Sequence, residues 1–300
     1  MMRLAGLIPP ETAHALALRA LGLVRLGAPL LDPPGLRAPF LGRPLSNPIG
    51  LAAGLDKDAL ALGGFARLGF GAIEIGSVTP RPQTGNPRPR LFRLSEDRAV
   101  INRMGFNSAG HEAVMRRLER YRRRGHAGPL IGVNLGKNRD SEDAAADYAA
   151  GIRRFSDLAD YLVVNISSPN TPGLRGLQAA GPLRALLARL GEARGQAAVR
   201  PPLLVKVAPD LAPDERQAVA ELALEAAVDG LVIGNTTLSR PPGLVSRHRV
   251  EAGGLSGRPL LDLSTEVLAD FARLTAGRLA LVGVGGVGSG ADAYDKISAV

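Results

Sequence analysis

The chain has 300 residues, 45% of them hydrophobic and 22% charged, so it can bury the core of one large domain or two ordinary ones. It contains no cysteine, which excludes disulfides, iron–sulfur clusters, thiolate metal sites and a cysteine nucleophile together. The net charge of +9 invites an anionic partner, but 4% aromatic residues and no tryptophan leave little on which bases could stack, and no nucleic-acid partner is expected.

Residues 1–38 read as a helical extension. A proline opens "PETAHALALRALGLVRL" (10–26), whose apolar positions recur at helical spacing with Arg19 and Arg25 between them. This is not a secretory signal, because Pro9, Pro10, Glu11 and Arg19 break the apolar run and no convincing cleavage site follows. Nor does the sequence hold the roughly 18 consecutive apolar residues of a spanning helix.

From 39 to 300, strand and helix alternate. Strand-like runs fall at 48–54, 72–77, 130–136, 161–167, 203–209, 230–236 and 279–286. Most are continuously apolar, as strands covered on both faces are. Helical patterns lie at 57–68, 108–124, 141–158, 182–194, 213–228 and 264–275. That alternation implies an α/β fold with a parallel sheet. Segment 79–106 is far longer than an ordinary connection, and its "RLFRL" and "AVINRM" can pair as a hairpin. The basic run "RRLERYRRRGH" (116–126) reads as a solvated helix face.

Each strand run ends in a small or polar residue: Gly54, Ser77, Gly136, Ser167, Pro209, Thr236 and Gly286. Such ends let a ligand approach the backbone, and a (β/α)8 TIM barrel gathers them on one rim. A doubly wound open sheet would not need them on every strand. The expected architecture is therefore a TIM barrel over 39–300 behind the extension at 1–38. Only seven strands are found, and the sequence ends at "ADAYDKISAV", so the eighth strand is expected to be missing.

The candidate chemistry lies on that rim. Asn102, Asn134, Asn165, Asn170 and Asn235 each bring two donors and an acceptor, a set suited to a planar ring bearing carbonyls and N–H groups, such as a pyrimidine or a flavin. Lys57, just past the first strand run, could steady a substrate carboxylate or pair with Asp56 or Asp58. Lys206 lies mid-strand between Val205 and Val207. It points either into the barrel or toward the helices, and a buried ammonium needs an anion or an electron-rich ring. "GVGGVGSG" (283–290), between a strand and a helix, suits either a phosphate at the helix N-terminus or a tight turn. His14, His111, His126 and His248 are scattered, with no pair at ligand spacing, so no metal is expected. "VVNISSPNTPG" (163–173) crowds small polar side chains at a strand end without a histidine, cysteine or carboxylate to move a proton.

Together, "GLAAGLDKD", "IEIGSVTPRPQTGNPRPRLFRL", "INRMGFNS", "GVNLGKN", "VVNISSPNTPGLRGLQ", "VKVAPDL", "NTTLSR", "GGLSGRPL" and "GVGGVGSG" resemble dihydroorotate dehydrogenase, the flavin enzyme of pyrimidine synthesis, in one order along the whole chain. The extension, and Ser168 where the soluble class has cysteine, resemble the quinone-dependent, membrane-associated class 2. The resemblance implies oxidation of (S)-dihydroorotate to orotate, with FMN as hydride acceptor and a quinone as final acceptor. By the same resemblance Ser168 takes the proton. Lys57, Asn102, Asn165, Asn170, Asn235 and Thr236 grip the pyrimidine, and the backbone of 102–106, with Arg103, Met104, Gly105 and Phe106, closes over it. FMN lies on Ala53, Gly54, Leu55, Asp56, Lys57, Ser77, Asn134, Asn165, Lys206, Gly234, Gly257 and Gly286.

Also implied are a monomer and a peripheral seat on the cytoplasmic side of the bacterial inner membrane, with the extension forming the mouth of a quinone tunnel. Family members continue past "DKISAV" with the eighth strand and the rest of the phosphate site, so weak FMN retention is expected of these 300 residues. An inactive FMN- or phosphate-binding barrel is the alternative. A flavin-dependent RNA dihydrouridine synthase resembles the fold but uses a cysteine acid and an added RNA-binding domain, and neither is seen here.

Overall fold

The computed structural model describes residues 8–23, 32–125, 128–226 and 228–300. Residues 24–26 of the expected first helix, and His126, lie outside them. The first helix, α1 (Pro10–Leu23), lies against the barrel. It buries Leu18, and its Leu21 sits where a side chain at Gly64 would otherwise stand. A short antiparallel hairpin follows, β1 (Ala38–Phe40) with β2 (Arg43–Leu45). Three-residue strands containing Pro39 and Pro44 carry no readable period, and the sequence reading has no counterpart for them.

Seven parallel strands come next: β3 (Gly50–Leu51), β4 (Ala72–Val78), β7 (Leu130–Leu135), β8 (Tyr161–Asn165), β9 (Leu203–Val207), β10 (Gly230–Ile233) and β12 (Ala280–Gly283). They pair in chain order, β3-β4-β7-β8-β9-β10-β12. A doubly wound sheet would reverse direction at a switch point, so this sheet is a curled barrel wall. Among the described residues it is unpaired between β12 and β3, where an eighth strand would lie. The expected hairpin forms as β5 (Leu91–Leu94) with β6 (Ala99–Asn102), and β11 (Gly254–Gly257) adds a third strand to it. The helices are α2 (Leu62–Phe65), α3 (His111–Arg123), α4 (Ala144–Phe155), α5 (Ala180–Gly195), α6 (Pro213–Glu225), α7 (Leu261–Thr275) and α8 (Gly290–Ser298).

Two expected elements shrink. The 48–54 run pairs only at Gly50 and Leu51, and the 57–68 helix is reduced to α2. Ala59 takes a left-handed φ of 57°, and the Asp56 carboxylate accepts from Leu60 N and Ala61 N, so the segment turns before it coils. The basic run behaves as expected over its described part. Helix α3 buries Val114, Leu118 and Tyr121 and leaves Arg116, Arg120 and Arg123 exposed.

Alternation along the strands separates two layers. Ile73, Ile75, Ile131, Val133, Leu162, Val164, Val205, Val207, Leu231 and Ile233 face the helices in the main apolar cluster. The residues between them face the barrel axis. At the bottom Leu130, Tyr161, Val163, Leu204 and Val232 pack with Leu45 and the hairpin's Phe40, whose ring meets Tyr161 edge-on at 5.6 Å. The Tyr161 ring fills the place that a side chain at its register partner Gly132 would take, so that position has room only for glycine. Toward the rim the same inward rows become polar, with Glu74, Asn134, Asn165 and Lys206, all buried. The alternation therefore settles the direction of Lys206, which points into the barrel.

Candidate active site

A cavity of about 450 Å³ opens above this polar layer, at the C-terminal ends of the strands. That is within the usual size of a small-molecule site, and the rim is where barrels place their chemistry.

Its floor is a buried hydrogen-bond chain. Asn134 donates to Glu74 Oε1 at 2.8 Å and accepts from the Ser77 hydroxyl. Asn165 donates to Ser77 Oγ at 2.9 Å, and its Oδ1 accepts from the Ser167 amide (3.1 Å) and hydroxyl (3.0 Å). Asn235 in turn donates to Ser167 Oγ at 2.8 Å. Lys206 is the register partner of Asn165 on the neighbouring strand. Burial raises the pKa of Glu74, opposed by the Lys206 ammonium and the Asn134 amide. These amides fix one another's orientation through hydrogen bonds, so little reorganisation is required of them.

Ser168 faces the same cavity from the loop after β8 and accepts from Asn170 N at 3.3 Å. Pro169 restricts the backbone of Ser168 toward an extended conformation. Asn170 donates to Asn102 Oδ1 at 3.2 Å, joining that loop to the end of β6. Gly105 and Phe106, with φ of 70° and 54°, turn the 102–106 segment over the opening. A non-glycine residue such as Phe106 in the left-handed region is strained, and such strain is typical of functional loops. Lys57 lines the other side and donates to Gly54 O at 3.1 Å. Burial lowers its pKa to about 8, although the Asp58 carboxylate opposes the shift.

Fifteen of the residues singled out from sequence share this wall: Ala53, Gly54, Leu55, Lys57, Ser77, Asn102, Met104, Gly105, Phe106, Asn165, Ser168, Asn170, Lys206, Asn235 and Thr236. Six stand outside it. Arg103 turns away, donating to Glu251 Oε2 at 2.9 Å with its guanidinium 4.5 Å from the centre of the Phe92 ring. Asp56 is consumed by its two backbone donors. Asn134 supports Ser77 from below. Gly234, Gly257 and Gly286 have positive φ and lie so close to Val284, Arg98 and Leu261 that no side chain fits.

Sequence reasoning missed His14, Ala52, Leu91, Val100, Ser256, Leu260, Val284 and Gly285, which complete the wall. His14 reaches from α1, its Nε2 2.6 Å from Leu55 O. Glu74 was also missed, since one carboxylate in an apolar strand has no periodic signal. Among the described residues no group of acids and histidines could hold a metal, and no helix is long and apolar enough to cross a membrane.

A parallel barrel with such a preordered polar floor, a buried lysine and a loop serine above it belongs with the barrel enzymes whose chemistry lies at the strand ends. Residues 35–300 match the family model described as dihydroorotate dehydrogenase, and the chain belongs to that family. It is 54% identical over 295 residues to dihydroorotate dehydrogenase (quinone) of Rhodospirillum rubrum, covering 97% of this chain and 79% of that relative. To dihydroorotate dehydrogenase (quinone), mitochondrial, of Mus musculus it is 50% identical, covering 100% of this chain and 78% of the relative. The crystal structure of DHODH from Eimeria tenella in complex with ferulenol superposes with a TM-score of 0.92 at 42% identity, covering 97% of this chain and 83% of that one. The chain is thus of the quinone-linked, class 2 type of oxidoreductase.

Proposed function

We propose that the cavity binds FMN and dihydroorotate together and oxidises the pyrimidine to orotate, with a quinone as final electron acceptor, as a step in pyrimidine synthesis. The observation that carries this reading is the convergence of Ser168, Lys206 and Asn235 on one cavity, from three successive strands. FMN supplies, when bound, the acceptor for a hydride and the relay of its electrons to a quinone.

The residues present fit that group. The hydroxyl of Thr236 is buried without a hydrogen-bond partner in the wall, a polar atom left for a ligand. Gly54 brings its backbone to the cavity with φ of 115°. Ala53, Leu55, Lys57, Ser77, Asn165 and Lys206 would hold the flavin. Gly257 and Gly286, beside the wall residues Ser256 and Gly285, would hold its phosphate. The Lys206 ammonium favours negative charge in its surroundings, which suits a ring that gains electrons.

The chain's own part is to bind, orient and move a proton. Asn102, Asn170 and Asn235 present amides to the carbonyls and N–H groups of the pyrimidine, and Lys57 offers its ammonium to the carboxylate. Ser168 Oγ accepts the proton from one ring carbon, while its own hydroxyl proton passes to water, leaving the serine neutral. A serine is a weak base, so it relies on a carbon acid already polarised by the adjoining ring carbonyl. The extension at 1–38 serves as the quinone entrance and the contact with the cytoplasmic face of the membrane, for a protein acting as a monomer.

Anaerobic addition of dihydroorotate to the flavin-loaded protein tests the reading. Bleaching of the flavin absorbance with orotate formed in equal amount is expected; retained flavin colour would overturn it.

A further inference from the structure

Three neighbouring rim loops each carry part of the proposed chemistry: Ser168 after β8, Lys206 on β9 with the turn that follows it, and Asn235 with Thr236 after β10. One side chain ties them together. Arg175, in the helical turn Leu174–Gln178, donates through Nε to Ser167 O at 3.0 Å, through Nη2 to Thr236 O at 3.1 Å and through Nη1 to Asp210 Oδ2 at 2.8 Å. Asp210 follows β9, and its carboxylate also accepts from the Thr237 hydroxyl and from Leu238 N at 3.3 Å. The Arg175 and Asp210 side chains are 22% and 19% exposed, and neither lines the cavity.

The carbonyl of Ser167 belongs to the peptide group that carries Ser168 N. Its orientation therefore sets the direction in which the Ser168 side chain leaves the backbone. Pro169 restrains Ser168 from the other side. Only a guanidinium offers donors in three fixed directions from one rigid plane, whereas a lysine ammonium is a compact charge that cannot span three acceptors.

We propose that Arg175, braced by Asp210, is a positioning residue that aims the Ser168 hydroxyl at the ring carbon losing its proton. The inference rests on the function proposed above. Because it acts through backbone carbonyls, it governs the rate of proton removal rather than the affinity for the ring.

The test uses flavin-loaded wild type, Arg175→Lys and Arg175→Met. The anaerobic bleaching rate at saturating dihydroorotate is measured with deuterium either on the carbon that loses the proton or on the carbon that loses the hydride. Orotate Kd, flavin content and thermal midpoint are read in parallel. Misplacing a reacting group by an ångström costs about a hundredfold, and a slowing of that order is expected in both variants. The isotope effect should rise at the proton-losing carbon only, with orotate Kd and flavin content as in wild type. Unchanged bleaching and isotope effects in the variants would overturn the proposal. So would a slowing matched by lost flavin or weakened orotate binding, the mark of a merely structural clasp. If Arg175→Met takes up no flavin, Arg175→Lys decides by the same readouts, and loss of flavin there too counts against the proposal. A wild type that does not bleach would defeat the function itself and the inference with it, whereas an active wild type with unaffected variants defeats the inference alone.

Discussion

The lower and upper halves of the barrel interior are built largely on the same strands, from successive inward-facing positions. Below, Leu130, Tyr161, Val163, Leu204 and Val232 form an apolar plug; above, Glu74, Asn134 and Asn165 form a buried, hydrogen-bonded floor with Lys206 beside them. The plug gains its stability from area removed from water, at about 25 cal/mol per Å². The floor gains little net stability, since each buried polar group recovers in hydrogen bonds roughly what it lost in hydration. The difference teaches a division of labour: apolar packing fixes where the strands sit, and the polar residues one step along inherit that precision for chemistry.

Four substitutions or titrations would break or sharpen this division. The largest effect is expected above the floor. Ser168→Ala should lower turnover at neutral pH by about 10²–10⁴-fold, the range for losing a positioned proton acceptor, with FMN content intact. Normal turnover would remove Ser168 from the chemistry. In the plug, Leu204→Ala should cost about 2–5 kcal/mol in denaturant unfolding but leave the bleaching rate per bound flavin unchanged. A rate loss without a stability loss there would erase the distinction.

A buried polar ring without such a network sharpens the contrast. His111 packs edge-on against Phe155, and its Nε2 is buried without a partner. Burial, with a smaller contribution from Arg154, lowers its pKa to about 4 from an ordinary 6.5. Between those values the unfolded chain binds the proton and the folded one does not, so stability falls as pH drops from 6.5 toward 4. The loss is at most about 3 kcal/mol, and His111→Leu should abolish that dependence in unfolding curves taken across the window. Last, the Lys57 ammonium is lost as pH rises through about 8. Orotate affinity should therefore fall above that pH, by up to about tenfold per unit, while Lys57→Met should bind weakly at every pH.

Much of the fold was legible because continuously apolar strand runs alternate with helices of strong period, and the order of seven strands followed. The cavity was legible wherever small polar residues ended an apolar run, as at Ser77, Asn165 and Thr236. Direction was not: Lys206 between two valines fits either face until its register beside Asn165 is known. Neither could the sequence reveal Arg175, which reads as any surface arginine until three acceptors from distant segments surround it. Arg103 shows the opposite case, since its neighbours face the cavity while its own side chain leaves toward Glu251.

The vacancy at Gly132 has one further consequence. A slip of β8 by two positions along β7 would keep every inward residue inward, and hydrophobic pattern alone could not forbid it. The phenol ring of Tyr161 does, because only opposite Gly132 does it find an empty slot. A missing methyl group near the base of the barrel thus acts as the index mark by which the asparagines several ångströms higher come to stand at the right height.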